Sequence, residues 1–272
     1  TPSEGRGSVR AAAFSADGRS AYLVTDRYGD WNELYRLDLD APASPRPLSR
    51  SIRWNVEELA VSRDGARVAF TVDADGYGRL YLLDPRSGKL EPAPLPGGVV
   101  IGLAIPERKS GLVALGLNGP RSPTDVWQLD VRGRRLVRWT RSEVGGLDPA
   151  TFVEPQLVRY RAADGVTIPA FLYRPSPRAF PGRRPVVIAW HGGPEAQERP
   201  LFSPPERTRL AAREVVDGDE DIACADRIEA ILLGEDPPAA PYSARVRASD
   251  FGCRFAAGTD PNLPSADLDV CA

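Results

Sequence analysis

A repeat of 46 to 47 residues is the feature that most restricts how this chain folds. The motif Ser-x-Asp-Gly occurs at residues 15–18 and again at 62–65, 47 residues later. A second motif consists of an aromatic residue, any residue, Leu and Asp. It ends at Asp38, Asp84 and Asp130, so successive copies are 46 residues apart. A constant period of this length is typical of β-propeller blades rather than of independent domains.

The residues between the motifs have the pattern of short strands and tight turns. Runs of β-branched, aromatic and alternating apolar residues at 21–25, 67–71 and 112–115 favour strands. In the Asp-Gly turns the Asp carboxylate can accept a hydrogen bond from the backbone two residues on, and Gly tolerates a positive φ. Three units do not close a ring, because propellers typically contain four to eight blades. We therefore expect three antiparallel sheets over 9–148 in a partial β-propeller that begins partway round the ring.

After Pro149 the repeat stops and a different strand pattern begins. Residues 157–161 and 166–173 are strand-like and are separated by an Asp-Gly turn. A Pro-rich stretch then leads to residues 186–190, which are apolar on both faces, as in the central sheet of an α/β domain. We expect 186–190 to be a buried strand flanked by the strand at 166–173.

The candidate catalytic motif directly follows that apolar run and consists of His191, Gly192 and Gly193. In hydrolases a Gly-rich turn at the carboxyl end of a central strand can direct backbone N–H groups at a developing oxyanion. The alternative is a tight turn that binds no ligand. The motif alone does not decide between them.

The surrounding residues carry a family resemblance. The segments VRYRAADGVTIPAFLYRP (158–175), PVVIAWHGGP (185–194) and QERPLF (197–202) resemble the entry into the catalytic domain of prolyl oligopeptidase-family serine peptidases, in the acylaminoacyl-peptidase and dipeptidyl-peptidase-like branch. The repeats resemble that family's propeller, so the resemblance extends over about residues 9–203. It implies an α/β-hydrolase domain that begins at 150–203 and the hydrolysis of short peptides through an acyl-enzyme.

By the same resemblance, Gly192 and Gly193 supply oxyanion-side backbone and His191 fixes the turn. The catalytic triad, however, has no counterpart in the chain. The 272 residues contain no Gly-x-Ser-x-Gly pentapeptide, and the single histidine stands in the Gly-rich turn, before any position where the elbow would lie. Without a nucleophile and a base, acyl transfer has no activated attacker. We therefore expect a truncated, inactive peptidase, with no catalytic residue to assign.

The sequence changes character at about Ser203. Residues 204–272 contain 14 acidic and 7 basic residues, whereas the preceding residues contain 23 acidic and 28 basic ones. We expect a helical or irregular acidic tail, with 1–149, 150–203 and 204–272 as the three parts of the chain. This change near Ser203 suggests that two unrelated sequences are joined in a chimeric reading frame. The alternative is a natural peptidase with a divergent end. The tail resembles the C-terminal part of 2-phosphosulfolactate phosphatases, a magnesium-dependent family, but matches none of their metal ligands.

Composition excludes several other classes of function. The net charge of −2 gives no electrostatic reason to expect nucleic acid or an anionic membrane as the partner. The longest apolar runs are strand-length, so we expect a soluble protein without a membrane span. Three cysteines without a Cys-x-x-Cys pair indicate free thiols rather than disulfides or a zinc site. We accordingly expect no metal, no cofactor and a cytoplasmic location.

Three functions are therefore open. The first is a peptidase-family chain without its own catalysis, with short peptides as the partners of the parent enzyme. The second is a peptide- or protein-binding propeller module. The third, suggested by the tail alone, is a fragment of a magnesium-dependent 2-phosphosulfolactate phosphatase. The chain contains no Met, so we expect that it does not begin at a translation start, and its oligomeric state is left open.

Overall fold

Three four-stranded antiparallel sheets dominate the computed structural model, which describes residues 7–162, 164–178, 181–182 and 197–202. In each sheet the strands lie side by side in chain order, as in a propeller blade. Blade one contains β1 (Val9–Phe14), β2 (Ser20–Thr25), β3 (Glu33–Asp38) and β4 (Arg46–Pro47). Blade two contains β5 (Val56–Val61), β6 (Val68–Ala74), β7 (Tyr77–Leu83) and β8 (Leu90–Ala93). Blade three contains β9 (Val99–Ala104), β10 (Leu112–Gly119), β11 (Ser122–Asp130) and β12 (Arg135–Arg138). The partial propeller expected from the repeat is confirmed.

The Ser-x-Asp-Gly motif builds the same turn in blades one and two. Ser15 Oγ accepts from the Ser20 N–H at 3.0 Å, and Asp17 accepts from the N–H two residues on at 3.1 Å. Gly18 has a φ of 68°, a conformation that a residue with a Cβ rarely adopts. Residues 62–67 repeat all three features, with distances of 2.9 and 3.0 Å and a glycine φ of 69°. The motif is therefore structural in both blades.

The second repeated motif marks the end of the third strand of each blade. Asp38, Asp84 and Asp130 each accept a hydrogen bond from the N–H two residues on, at 3.1, 2.8 and 3.1 Å. These Asx turns redirect the chain toward the fourth strand. The 46-residue spacing thus reflects one turn chemistry repeated at one place in the blade.

The core lies between neighbouring blades, and β6 is buried on both of its faces. Because successive side chains of a strand point to opposite faces, Val68, Phe70 and Val72 face one way and Ala69 the other, all at 0% exposure. The first three pack into a cluster with blade one that also contains Tyr22, Val24, Leu34, Ile52, Val56 and Leu83. Ala69 packs into a cluster with blade three that also contains Leu80, Leu82, Val100, Val113, Leu115, Leu117 and Leu129.

Thr71 is the fully buried polar residue of β6, and it supports a prediction. Its side chain is fully buried, and its hydroxyl has no hydrogen-bond partner within the described part of the chain. Replacing Thr71 with valine is expected to raise the free energy of unfolding by about 1 kcal/mol, since a buried hydroxyl without a partner is destabilising. Equilibrium urea unfolding measures the change.

The matched control is Thr25→Val in blade one. Thr25 is also buried, but its hydroxyl donates to the Ser8 carbonyl and accepts from the Arg27 N–H at 3.2 Å. The same substitution there is expected to lower stability by about 1 kcal/mol, because it removes both hydrogen bonds. Equal effects at the two positions would contradict the assignment for Thr71.

A separate compact unit follows the blades. The described residues up to Pro155, together with 197–202, form one unit, and the described residues from Gln156 to 182 belong to the other. In the second unit β13 (Gln156–Arg161) pairs antiparallel with β14 (Thr167–Leu172) across the expected Asp-Gly turn. A short 3₁₀ helix, Pro149–Thr151, capped by Asp148, precedes it in the chain.

The remaining expectations for this half of the chain fall on residues that the structure does not describe. The buried strand at 186–190 and the acidic tail from 204 onward both lie outside the described residues. Within the described part, every regular element other than the 3₁₀ helix is a strand. Among the described residues, no helix has the length and apolarity that crossing a membrane requires.

Candidate functional site

The residues assigned to the oxyanion-side turn, His191, Gly192 and Gly193, lie outside the described residues. The described segment nearest to them in sequence is 197–202, which begins four residues after Gly193. This segment contacts blades two and three at two places, and we call it the anchored segment. Its contacts define the candidate site.

The first contact is an arginine held by two acidic side chains of blade two. Arg199 Nη1 donates to Glu57 Oε1 at 2.8 Å, and Arg199 Nε donates to the Gly76 carbonyl at 3.2 Å. Arg199 Nη2 lies 3.7 Å from Asp73 Oδ1, close enough for an ion pair. The Arg199, Glu57 and Asp73 side chains are only 15%, 16% and 16% exposed. The guanidinium is therefore held in a largely buried, acidic environment.

The hairpin between β6 and β7 creates this environment. Asp75 and Gly76 form its two-residue turn, and their φ values of 54° and 82° are the signature of a type I′ turn. The Gly76 N–H donates to Asp73 Oδ1 at 2.8 Å, which ties the carboxylate to the turn. The carbonyl of the same residue, Gly76, accepts the hydrogen bond from Arg199 Nε.

Gln197 adds a further contact to the same turn. Oriented so that its amide nitrogen faces the carboxylate, Gln197 donates to Asp73 Oδ2 at 2.6 Å and accepts from the Gly76 N–H at 3.0 Å. Two side chains of the anchored segment, two positions apart, thus bind one carboxylate and one turn residue. Asp73 is the centre of the contact.

Burial also shifts the ionisation of this carboxyl. Burial raises the pKa of Asp73, the positive charge of Arg199 works in the opposite direction, and the neighbouring Glu57 raises it further. The guanidinium therefore offsets part of the cost of placing two carboxylates next to each other. Without a cation here, these two carboxylates would repel each other in a poorly hydrated environment.

The second contact joins the end of the anchored segment to blade three. The Phe202 N–H donates to Asn118 Oδ1 at 2.6 Å, and Asn118 Nδ2 donates to Thr124 Oγ1 at 3.0 Å. The Phe202 ring packs against Phe152 with a centroid distance of 5.6 Å and an interplanar angle of 55°. Pro200 between the two contacts is buried. The segment is therefore fixed at both ends.

These residues carry no sequence signal that pairs them. Glu57 and Arg199 are 142 residues apart, and neither belongs to the repeated turns. The QERPLF segment carries part of the family resemblance, which assigns no role to its arginine. The one sequence feature that points to Arg199 is its charge next to a proline, close to the Gly-rich turn.

The groups of the described site engage one another through hydrogen bonds and an ion pair. They are two carboxylates, an amide, a carbonyl and a guanidinium, which are suited to ionic and hydrogen-bonded contacts. Within the described residues, no three or more His, Cys, Asp or Glu side chains come together as a metal site would require.

Comparison with known proteins supports the fold. No protein-family model and no curated protein matches the chain. Among solved structures, puromycin hydrolase is 26% identical with a TM-score of 0.58, over 72% of this chain and 30% of that one. A mutant of puromycin hydrolase complexed with PGG is 25% identical with a TM-score of 0.59, over 72% and 31%. Prolyl oligopeptidase B from Galerina marginata, at 19% identity and a TM-score of 0.51 over 61% and 24%, is similar in fold.

The similarity is thus to part of a larger enzyme. The chain spans about 30% of the length of puromycin hydrolase. Nothing in these comparisons supports the resemblance of the tail to 2-phosphosulfolactate phosphatases. The three blades form a partial β-propeller like that of prolyl oligopeptidase-type peptidases.

Proposed function

We propose that this chain is part of a prolyl oligopeptidase-type serine peptidase: propeller blades at 1–149 and the beginning of an α/β-hydrolase domain at 150–203. The observation that carries the proposal is the match of its fold to puromycin hydrolase over 72% of the chain at 26% identity. The parent reaction is then hydrolysis of short peptides through an acyl-enzyme, with Gly192 and Gly193 on the oxyanion side and His191 in the turn. The residues at 204–272 form an unrelated acidic tail.

The described geometry supports this proposal in one respect. In an oligopeptidase the polypeptide that carries the oxyanion-side turn must hold a fixed position, because donors to an oxyanion act only when they are preorganised. The anchored segment begins four residues after Gly193 and is held by Arg199 and Asn118. A catalytic domain that begins here requires its first segment to be held in place in this way.

The first test is activity. The purified 272-residue protein is expected to give neither labelling by a fluorophosphonate probe nor turnover of acylated-peptide chromogenic substrates. The reason is that it contains no Gly-x-Ser-x-Gly and no histidine besides His191. Stoichiometric labelling of one serine, with turnover abolished when that serine is replaced by alanine, would contradict the prediction.

Two further measurements address the alternatives. A peptide titration followed by calorimetry separates an inert piece of a peptidase, which shows no saturable binding, from a propeller that works as a binding module. Sequencing the gene across the codons for Leu201 to Arg209 tests the join itself. A frame that continues after Phe202 into a Gly-x-Ser-x-Gly elbow would support the peptidase, whereas an uninterrupted natural frame through the tail would argue against a chimera.

A further inference from the structure

We infer that Glu57, Asp73 and the Gly76 carbonyl form a guanidinium-binding socket on blade two, and that its ligand is an arginine followed by proline. In this chain the ligand is Arg199, which makes Arg199 a positioning residue for the anchored segment. The inference goes beyond the proposed function, because the socket and its occupant are defined whether or not the parent enzyme is a peptidase.

The geometry of the socket fits a guanidinium better than an ammonium. Two nitrogens of Arg199 donate hydrogen bonds in the socket, Nη1 to Glu57 Oε1 and Nε to the Gly76 carbonyl. Nη2 lies 3.7 Å from Asp73 Oδ1, which makes an ion pair without a hydrogen bond. A guanidinium presents N–H groups in a fixed planar fork, whereas a lysine ammonium is a single point charge on a flexible stem. A lysine therefore supplies the positive charge that the socket requires, but it does not reproduce the two hydrogen bonds from separate nitrogens in the same geometry.

The socket also differs from an ordinary surface ion pair. The comparison is Arg63 and Glu107, which lie 3.0 Å apart with both side chains 73% exposed. Such pairs contribute little, because water and salt screen them. The 15% and 16% exposure of Arg199 and Glu57 removes most of that screening. Losing the cation leaves two poorly hydrated carboxylates, so the occupied socket is much preferred over the empty one.

Pro200 adapts the ligand segment to the socket. The Leu201 N–H donates to the Arg199 carbonyl at 2.7 Å, which closes a three-residue turn around the proline. Proline holds its φ near −65° in the free chain as well, so this turn costs little entropy to form. The turn directs the chain from the Arg199 contact on blade two to the Phe202 contact on blade three.

Hydrogen exchange of the full chain, read by mass spectrometry on peptides that cover 197–202, tests the socket. Arg199→Ala is expected to speed exchange there by on the order of ten- to a hundredfold, because it removes hydrogen bonds to a charged group and frees the Phe202 amide. Arg199→Lys is expected to give a smaller increase. Peptides from β10 serve as the internal reference and are expected to keep their protection.

A rescue experiment distinguishes a guanidinium socket from a merely structural contact. Millimolar ethylguanidinium is expected to slow exchange of 197–202 in the Arg199→Ala protein, while ethylammonium at the same concentration has a weaker effect. Arg63→Ala, which breaks the exposed pair, is the matched control and is expected to leave 197–202 unchanged.

Three results would overturn the inference: unchanged exchange of 197–202 in Arg199→Ala, the same increase in Arg63→Ala, or equal rescue by the two cations. If Arg199→Ala also speeds exchange in β10, the test is made with Glu57→Gln instead. That variant keeps the side-chain volume and removes only the carboxylate charge. These outcomes are independent of the peptidase proposal, because exchange reports the contact and not hydrolysis.

Discussion

Replacing Phe70 with alanine is expected to lower the free energy of unfolding of the propeller segment by about 3–5 kcal/mol, the usual cost of deleting a buried aromatic ring. Phe70 is 0% exposed on β6 and lies in the cluster between blades one and two. Its ring stacks on Tyr81 with a centroid distance of 5.5 Å and an interplanar angle of 13°. Truncation therefore leaves a cavity and removes an aromatic contact at once.

Phe14→Ala is the matched control for this change. Phe14 is also a strand residue, at the end of β1, but it is 70% exposed. The same atoms are deleted with little loss of buried surface, so the expected cost is below about 0.5 kcal/mol. Equilibrium urea unfolding followed by tryptophan fluorescence measures both, and the five tryptophans make the signal available. Equal losses at the two positions would show that the interface between blades one and two is not the core.

The local features of the fold were predictable because their causes are local. The turn at residues 15–18 and the Asx turns at Asp38, Asp84 and Asp130 are formed by side chains that bond to backbone within a few residues. A sequence motif contains all of the groups involved. The three blades followed from these turns and from the alternation of the strands between them.

Blade three shows where that reasoning weakens. Its first turn follows Pro106, where the Lys109 N–H donates to the Pro106 carbonyl at 3.0 Å, and no Ser-x-Asp-Gly motif is present. The chain therefore reaches the same reversal with different residues. In this blade only the Asx turn at Asp130 and the aromatic residue before it preserved the period.

Contacts between distant parts of the chain were not predictable. The socket joins Glu57 to Arg199 across 142 residues, and the contact of Asn118 with Phe202 spans 84. Each depends on how the blades are stacked and on where the chain returns to them. No sequence periodicity encodes that placement. The role of a charged residue such as Arg199 is therefore visible only in the folded structure.

Asp125 is another such residue, and it is the most strongly bound carboxylate on blade three. Its side chain is 0% exposed on β11. It accepts from Arg138 through Nε at 3.0 Å and through Nη2, from Thr140 Oγ1 at 2.7 Å and from the Ser142 N–H at 2.8 Å. One carboxylate thus joins β11 to the last strand of the blade and to the residues that follow it.

Asp125→Ala is therefore expected to lower the free energy of unfolding by about 3 kcal/mol. This is the lower end of the range for breaking a buried pair, because Arg138 remains 29% exposed and can be hydrated when its partner is lost. Asp130→Ala on the same strand is the control. Among the described residues its carboxylate accepts only from the backbone N–H groups of a turn, so the expected loss is about 1 kcal/mol. Urea unfolding at pH 7 compares the two, and a smaller loss at Asp125 than at Asp130 would contradict the prediction.

The pH dependence of the same residue gives a sharper test. Burial opposes ionisation of Asp125, but hydrogen bonds from Thr140, Arg138 and Ser142 outweigh it and hold its pKa below the usual value. Because the folded pKa lies below the unfolded value of about 3.9, the stabilisation is complete above that pH and is lost as the pH falls through the folded pKa. The stability gap between the native chain and Asp125→Asn is therefore expected to be constant from pH 7 to about pH 5 and to narrow below about pH 4. Since both proteins share every other carboxylate, a gap that stays constant down to pH 2 would show that the charge of Asp125 does not hold β12 in place.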